Sequence, residues 1–124
     1  MRRLSALALP GLAAALALLA PGSAAAQATA QAVAASCREL LKPKPAKSFD
    51  LGLCVGSFTT IHALSGIVDQ NRAPILGFCR PATADYVELA RVFVRHVDAH
   101  PEAAQSYYAI EAINALIDAY PCKR

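Results

Sequence analysis

Apolar side chains recur along this chain at intervals of three and four residues, the spacing that places them on one face of an α-helix. No segment alternates apolar and polar residues with turn signals on both sides, so the pattern predicts no β-sheet. The predicted fold is therefore all-α, a small four-helix domain made of two antiparallel helical hairpins. The predicted helices cover about 28–41, 49–68, 83–99 and 101–120.

Proline and capping residues mark where these helices begin and end. The Lys42-Pro43-Lys44-Pro45 segment ends the first helix, because proline lacks an amide donor and restricts the residue before it. Asp50 and Thr83 are the predicted N-caps of the second and third helices. His100-Pro101-Glu102 predicts that the fourth helix begins at once, since proline is tolerated in a first turn. Pro121 ends that helix.

Two apolar stripes and one long loop complete the predicted architecture. Residues 69–82 contain two prolines and a glycine, so they predict a loop between the two hairpins. The stripe of the second helix comprises Cys54, Phe58, Ile61, Leu64 or Ser65, and Val68. The stripe of the fourth helix comprises Ala109, Ile113, Leu116 and Tyr120, widened by Ile110 and Ile117.

The first 26 residues have the organisation of a signal peptide. Two arginines follow Met1, an apolar run covers 4–20, and small residues lead to Ala26. This order of a basic, an apolar and a small-residue region predicts export, with cleavage after Ala26. An uncleaved N-terminal anchor is the alternative. The mature domain would then be 27–124, located in the periplasm.

The charge balance changes when the signal peptide is removed. The full chain has 12 basic and 9 acidic side chains. Loss of Arg2 and Arg3 leaves ten basic against nine acidic residues, without a basic cluster of the kind that binds nucleic acid. No second apolar run has the length to cross a bilayer, so we expect no membrane association after cleavage.

Four cysteines lie in the mature region, and an even number in a short exported chain predicts two disulfides. Four cysteines allow three pairings. Cys37 lies about one turn before the first linker and Cys54 about one turn after it, so they should face each other. Cys79 precedes the third helix and Cys122 follows the fourth, at the open end of the second hairpin. The favoured pairs are therefore Cys37–Cys54 and Cys79–Cys122.

The histidines are the candidates for chemistry. His96 and His100 are four residues apart, which suits a shared metal, with Asp98 close by, but no third ligand is evident. His62 and a cysteine could form a nucleophilic dyad, although exported cysteines are better explained as disulfides. No nucleophile elbow or phosphate-binding loop occurs. The sequence therefore predicts no enzyme, no metal site and no cofactor.

Four motifs follow one another along the mature region. They are Cys54-Val55-Gly56-x-Phe58, Phe78-Cys79-Arg80-Pro81, Val94-x-x-Val97-x-x-His100-Pro101-Glu102 and Ala115-Leu116-x-x-Ala119-Tyr120-Pro121-Cys122. Together, in this order, they resemble the Rap/Tai family, small periplasmic immunity proteins of type VI secretion systems. The resemblance implies a domain that binds and inhibits a secreted cell-wall (peptidoglycan) amidase effector, with a homodimer as a further candidate assembly.

A binding module of this kind needs an irregular segment on a rigid frame, and the longest such segment is 69–80. A plain linker is the alternative role for it. The second candidate function is a small periplasmic stress or chaperone-like binding protein, which would also be exported, helical and disulfide-bonded. The candidate partner-binding residues are Asp69, Gln70, Asn71, Arg72 and Arg80.

Overall fold

The computed structural model describes residues 28–123 and folds them into four α-helices. Within this range no strand is formed, so the predicted all-α class is confirmed. None of these helices combines the length and the apolar character that crossing a bilayer requires. The predicted signal peptide, 1–26, lies outside the described residues. The helices are α1 (Ala30–Leu40), α2 (Phe49–Leu64), α3 (Tyr86–Ala99) and α4 (Tyr108–Ala119).

Two of the predicted N-caps are wrong. Ser48 caps α2, where its hydroxyl accepts a hydrogen bond from the amide of Leu51 at 3.1 Å. Asp50 instead lies in the first turn, where a carboxylate is favoured by the helix dipole. Asp85 caps α3. Thr83 does not cap α3, because it lies in a turn that precedes the helix, in which the amide of Ala84 donates to the carbonyl of Pro81.

The fourth helix begins later than predicted. Residues Pro101–Ala103 form a single 3-10 turn, and α4 begins only at Tyr108. The carbonyls of Ala104 and Ser106 accept hydrogen bonds from the first amides of α1, at 2.9 and 2.8 Å. These carbonyls satisfy amide donors that would otherwise be unpaired at the start of α1. In a continuous helix from Pro101, the same carbonyls would accept hydrogen bonds from that helix's own amides instead.

Helices α1 and α3 each pack against the three other helices, whereas α2 and α4 have little direct contact. The aromatic centre of the core is Phe58 of α2 against Phe93 of α3, with ring centroids 5.4 Å apart. Phe78 is fully buried too, although it belongs to the segment between α2 and α3. The core therefore fixes this segment as well as the helices.

The predicted stripe of α4 is correct in part: Leu116 is buried, and Ile113 and Tyr120 pack against the core while remaining partly exposed. Ala112, Ala115 and Leu116 are the buried residues of this helix. Ile110 and Ile117 are 59% and 38% exposed. The two alanines let the backbone of α4 approach its neighbours closely, so the larger isoleucines lie outside the contact.

Both favoured disulfides are present. Cys37–Cys54 connects α1 with α2, and both cysteines are completely buried in the core. Cys79–Cys122 connects the segment before α3 with the end of the chain after α4. Beside the second bridge, the amide of Cys79 donates to the carbonyl of Tyr120 at 2.8 Å. The described residues contain no free cysteine.

Candidate partner-binding surface

The start of the predicted long loop and the two residues before it form a turn closed by one isolated β-bridge, here called the 67–75 hairpin. Helix α2 ends at Leu64, and the predicted continuation to Val68 is wrong. Val68 instead forms an antiparallel bridge with Pro74. The amide of Ile75 donates to the carbonyl of Ile67 at 3.1 Å. These contacts give the segment a defined shape where the sequence predicted an irregular loop.

The tip of the hairpin is held by Asp69. Its side-chain Oδ1 accepts hydrogen bonds from the amides of Asn71 and Ala73, each at 2.8 Å. Its main-chain amide donates to the carbonyl of Ala73, and its carbonyl accepts from the amide of Arg72 at 3.0 Å. Aspartate commonly stabilises turns in this way. Asp69, predicted as a partner-binding residue, therefore shapes the tip.

Gln70, Asn71 and Arg72 are the exposed side chains of the tip. Arg72 has a φ of 63°, in the left-handed region that costs a non-glycine residue about 1–2 kcal/mol. The other described residue with positive φ is Gly77. The structure thus brings four of the five predicted binding residues together, and three of them present their side chains to solvent.

Arg80 has a different role from the other four. Its Nε donates to the hydroxyl of Ser65 at 2.8 Å, at the end of α2. Its Nη1 donates to the carbonyls of Pro81 and Ala84, at 3.1 and 2.7 Å, just before α3. The guanidinium therefore connects both ends of the 65–84 segment and braces the base of the hairpin.

The arms of the hairpin carry aliphatic side chains that the sequence analysis assigned to no surface. Ile67, Val68 and Ile75 are 47%, 51% and 49% exposed. Side chains on both faces of the arms are therefore partly accessible to solvent. Apolar groups beside a polar tip are typical of an interface. In the sequence, apolar residues on both sides of 69–72 indicate this surface. They were not recognised as such because Val68 also fits the helical spacing of α2 and was assigned to that helix.

A second surface is the α2–α4 groove, an apolar groove of about 500 Å³ between these helices. Ser57 and Tyr108 contribute polar atoms to it, and their hydroxyls lie 3.4 Å apart, close enough to pair with each other. Gly52 and Gly56 line one wall, and a Cβ atom at either position would meet no atom within 4 Å. Apolar side chains in the lining include Leu53, Ile61, Leu64, Leu76 and Ile113.

The open space beside Gly56 leads to a stability prediction. We expect Gly56→Ala to raise the free energy of unfolding by about 0.5–1 kcal/mol, because alanine is the better helix former and nothing obstructs its methyl group. The matched control is Gly77→Ala, which should lower it by a similar amount, since Gly77 has a φ of 77°. Urea denaturation measures both, and a shift of both variants in one direction would contradict the prediction.

The candidate histidines form contacts within the fold. His96 Nε2 of α3 lies 3.1 Å from Glu111 Oε2 of α4. His100 Nδ1 lies 3.0 Å from Glu102 Oε1, and the two imidazole centroids are 4.6 Å apart. The backbone amide of Glu102 and the His100 ring lower the pKa of that carboxyl. Among residues 28–123, no three His, Cys, Asp or Glu side chains are arranged to hold a metal ion.

Comparison with known proteins places these features in one family. The family model of the Rap1a immunity proteins matches residues 29–122. The match therefore includes all four helices, both disulfides and the 67–75 hairpin. No curated protein and no solved structure gives a significant match.

Proposed function

We infer that this chain, which belongs to the family of Rap1a immunity proteins, binds and inhibits a peptidoglycan amidase effector of a type VI secretion system. An immunity protein acts against a secreted effector, and inhibition by binding requires a complementary surface without catalytic residues. The protein is accordingly not an enzyme. Its partner is an enzyme that attacks the cell wall.

The observation that supports this proposal best is the 67–75 hairpin. An inhibitor that enters a cleft gains affinity when its inserting segment is already ordered, because less conformational entropy is lost on binding. The Asp69 hydrogen bonds order the tip, and the Arg80 hydrogen bonds fix the base. The Cys79–Cys122 bridge follows directly after this segment. Gln70, Asn71 and Arg72 remain exposed for a partner.

The proposed site of action is the periplasm. Export would follow from the signal peptide 1–26, with cleavage after Ala26. The two disulfides suit an oxidising compartment of this kind, since reducing conditions in the cytosol oppose them. A cell-wall amidase acts in the same compartment, so inhibitor and enzyme would meet there.

Protection from the amidase is the direct test. We expect cells that export a cognate cell-wall amidase effector to survive when they also export the parent protein. The Asn71→Ala/Arg72→Ala variant should lose this protection, because both side chains are exposed at the tip. The readout is colony survival, together with inhibition of purified amidase.

The chain offers a matched control for that variant. Arg95 and Asn114 are the same residue types on exposed positions of α3 and α4. The Arg95→Ala/Asn114→Ala variant should protect as well as the parent. Equal protection by both variants would show that the inhibitory site does not lie on the hairpin. Failure of the parent to bind or protect would overturn the amidase proposal.

The α2–α4 groove favours a second candidate function, that of a periplasmic chaperone-like binding protein. Its lining is largely apolar, and a chaperone holds the apolar segments of unfolded clients. Gly56→Leu would direct a large side chain into the open space of the groove. If the groove holds clients, this variant should suppress aggregation of a reduced client protein less well than the parent does. Under the immunity proposal, both proteins should have little effect on the client.

A further inference from the structure

Arg72 occupies a backbone position that favours glycine. Its φ of 63° lies in the left-handed region. In β-hairpins with short loops, the residue that follows the turn often has this conformation and is usually glycine. Arginine at this position carries a backbone cost that glycine would avoid. The presence of arginine at this position therefore requires a favourable interaction of its side chain that offsets the backbone cost.

The fold itself provides no such contribution. The Arg72 side chain is exposed and makes no hydrogen bond or ion pair with any residue in 28–123. Its backbone amide donates to the carbonyl of Asp69, which any residue except proline would do. The Oδ1 atom of Asp69 accepts from the amides of Asn71 and Ala73, and among the described residues no ion pair joins this carboxylate to Arg72. Strain that the structure does not compensate is characteristic of functional positions.

We propose that Arg72 determines which effector this protein recognises, by binding a carboxylate on the amidase. This inference rests on the proposed immunity function and assigns its chemistry. Guanidinium groups pair with carboxylates through two parallel hydrogen bonds and are enriched among the residues that dominate interfaces. Aspartate and glutamate on an enzyme surface present such a group.

The surroundings of Arg72 specify the partner further. Ile67, Val68 and Ile75 flank the tip and are each about half exposed. When a partner covers them, they exclude water from the neighbouring ion pair, and electrostatic attraction is stronger where the dielectric constant is lower. The partner surface is therefore a carboxylate bordered by apolar residues. A partner without that carboxylate would leave the guanidinium unpaired, which gives discrimination between effectors.

The test measures binding of the purified mature protein to a cognate cell-wall amidase effector, by calorimetry at low and high salt. Arg72→Asn is the informative variant, because asparagine adopts the left-handed conformation readily. We expect it to weaken binding at least about 30-fold, as for a dominant interface residue. We also expect it to reduce the salt dependence of the affinity. Arg72→Lys should retain part of the affinity and part of its salt dependence. Arg95→Asn should bind as the parent does.

A second variant separates the side chain from the backbone. Arg72→Gly relieves the left-handed strain and should unfold at the same temperature as the parent or higher. If Arg72→Gly also loses binding, the guanidinium is responsible. Parent-like binding by Arg72→Asn or Arg72→Gly would overturn the proposal while leaving the immunity function in place. A parent protein that neither binds nor inhibits the amidase would overturn both.

Discussion

The double variant Cys79→Ala/Cys122→Ala is expected to lose about 4 kcal/mol of its free energy of unfolding. The bridge closes 43 residues, and in the chain-entropy account a loop of that length restricts the unfolded state by about this amount. A small domain with a stability of about 5–15 kcal/mol would lose a large fraction of it.

Urea denaturation under non-reducing conditions measures this loss. The comparison is Cys37→Ala/Cys54→Ala, which removes a bridge across 17 residues and about 3 kcal/mol by the same account. Both of these cysteines are fully buried, so cavity formation adds to the second value. A loss below about 1 kcal/mol for Cys79→Ala/Cys122→Ala would show that the long bridge does not stabilise the fold in this way.

Phe93→Ala is expected to be about as damaging. The side chain is completely buried in α3 and contacts the ring of Phe58 at a centroid distance of 5.4 Å. Truncation of a buried phenylalanine costs about 3–5 kcal/mol, because it removes apolar contact and leaves a cavity. In a domain of this size, that corresponds to a fall of roughly 15–30 °C in the melting temperature. Thermal unfolding followed by circular dichroism measures it.

Phe49→Ala provides the matched control, because the same substitution occurs at a residue that is 86% exposed. We expect a change within about 0.5 kcal/mol, as for most surface positions. If Phe49→Ala and Phe93→Ala lowered the melting temperature equally, the arrangement of the core described here would be incorrect.

Local sequence signals predicted the fold well where the structure depends on neighbouring residues. The prolines after α1 and the His100-Pro101 turn marked helix ends correctly, because proline acts on adjacent residues. The disulfide pairs followed from the helical hairpins that those turns create. The family resemblance is confirmed by the match over residues 29–122.

The errors arose where distant parts of the chain compete for the same backbone groups. The start of α4 was placed at Pro101, but the carbonyls of Ala104 and Ser106 pair with α1. Distant partners also surround Arg80, a predicted partner-binding residue, whose guanidinium bonds to Ser65 and to the carbonyl of Ala84. No local pattern indicates such partners.

The candidate site was predicted in position but not in form. Its polar tip was identified from turn residues, whereas Val68 matched the helical spacing of α2 and was assigned to that helix. The pairing of Val68 with Pro74 depends on the helix ending at Leu64. Helical periodicity did not indicate the end of α2 at Leu64 or the hairpin after it, because the same residue types suit a helix face and a hairpin arm.

The hydrogen bonds between α1 and residues 104–108 have a consequence for the order of folding. The first amides of α1 reach Ala104 and Ser106, and the amide of Tyr108 reaches back to Ala28. These contacts join the start of α1 to residues more than 70 positions later in the chain, and contacts between distant residues form slowly because a long loop must close first. A chain lacking the residues from Ala104 onward would contain both Cys37 and Cys54 but could not complete the start of α1. The first helix therefore reaches its final structure only after the segment between α3 and α4 has folded against it.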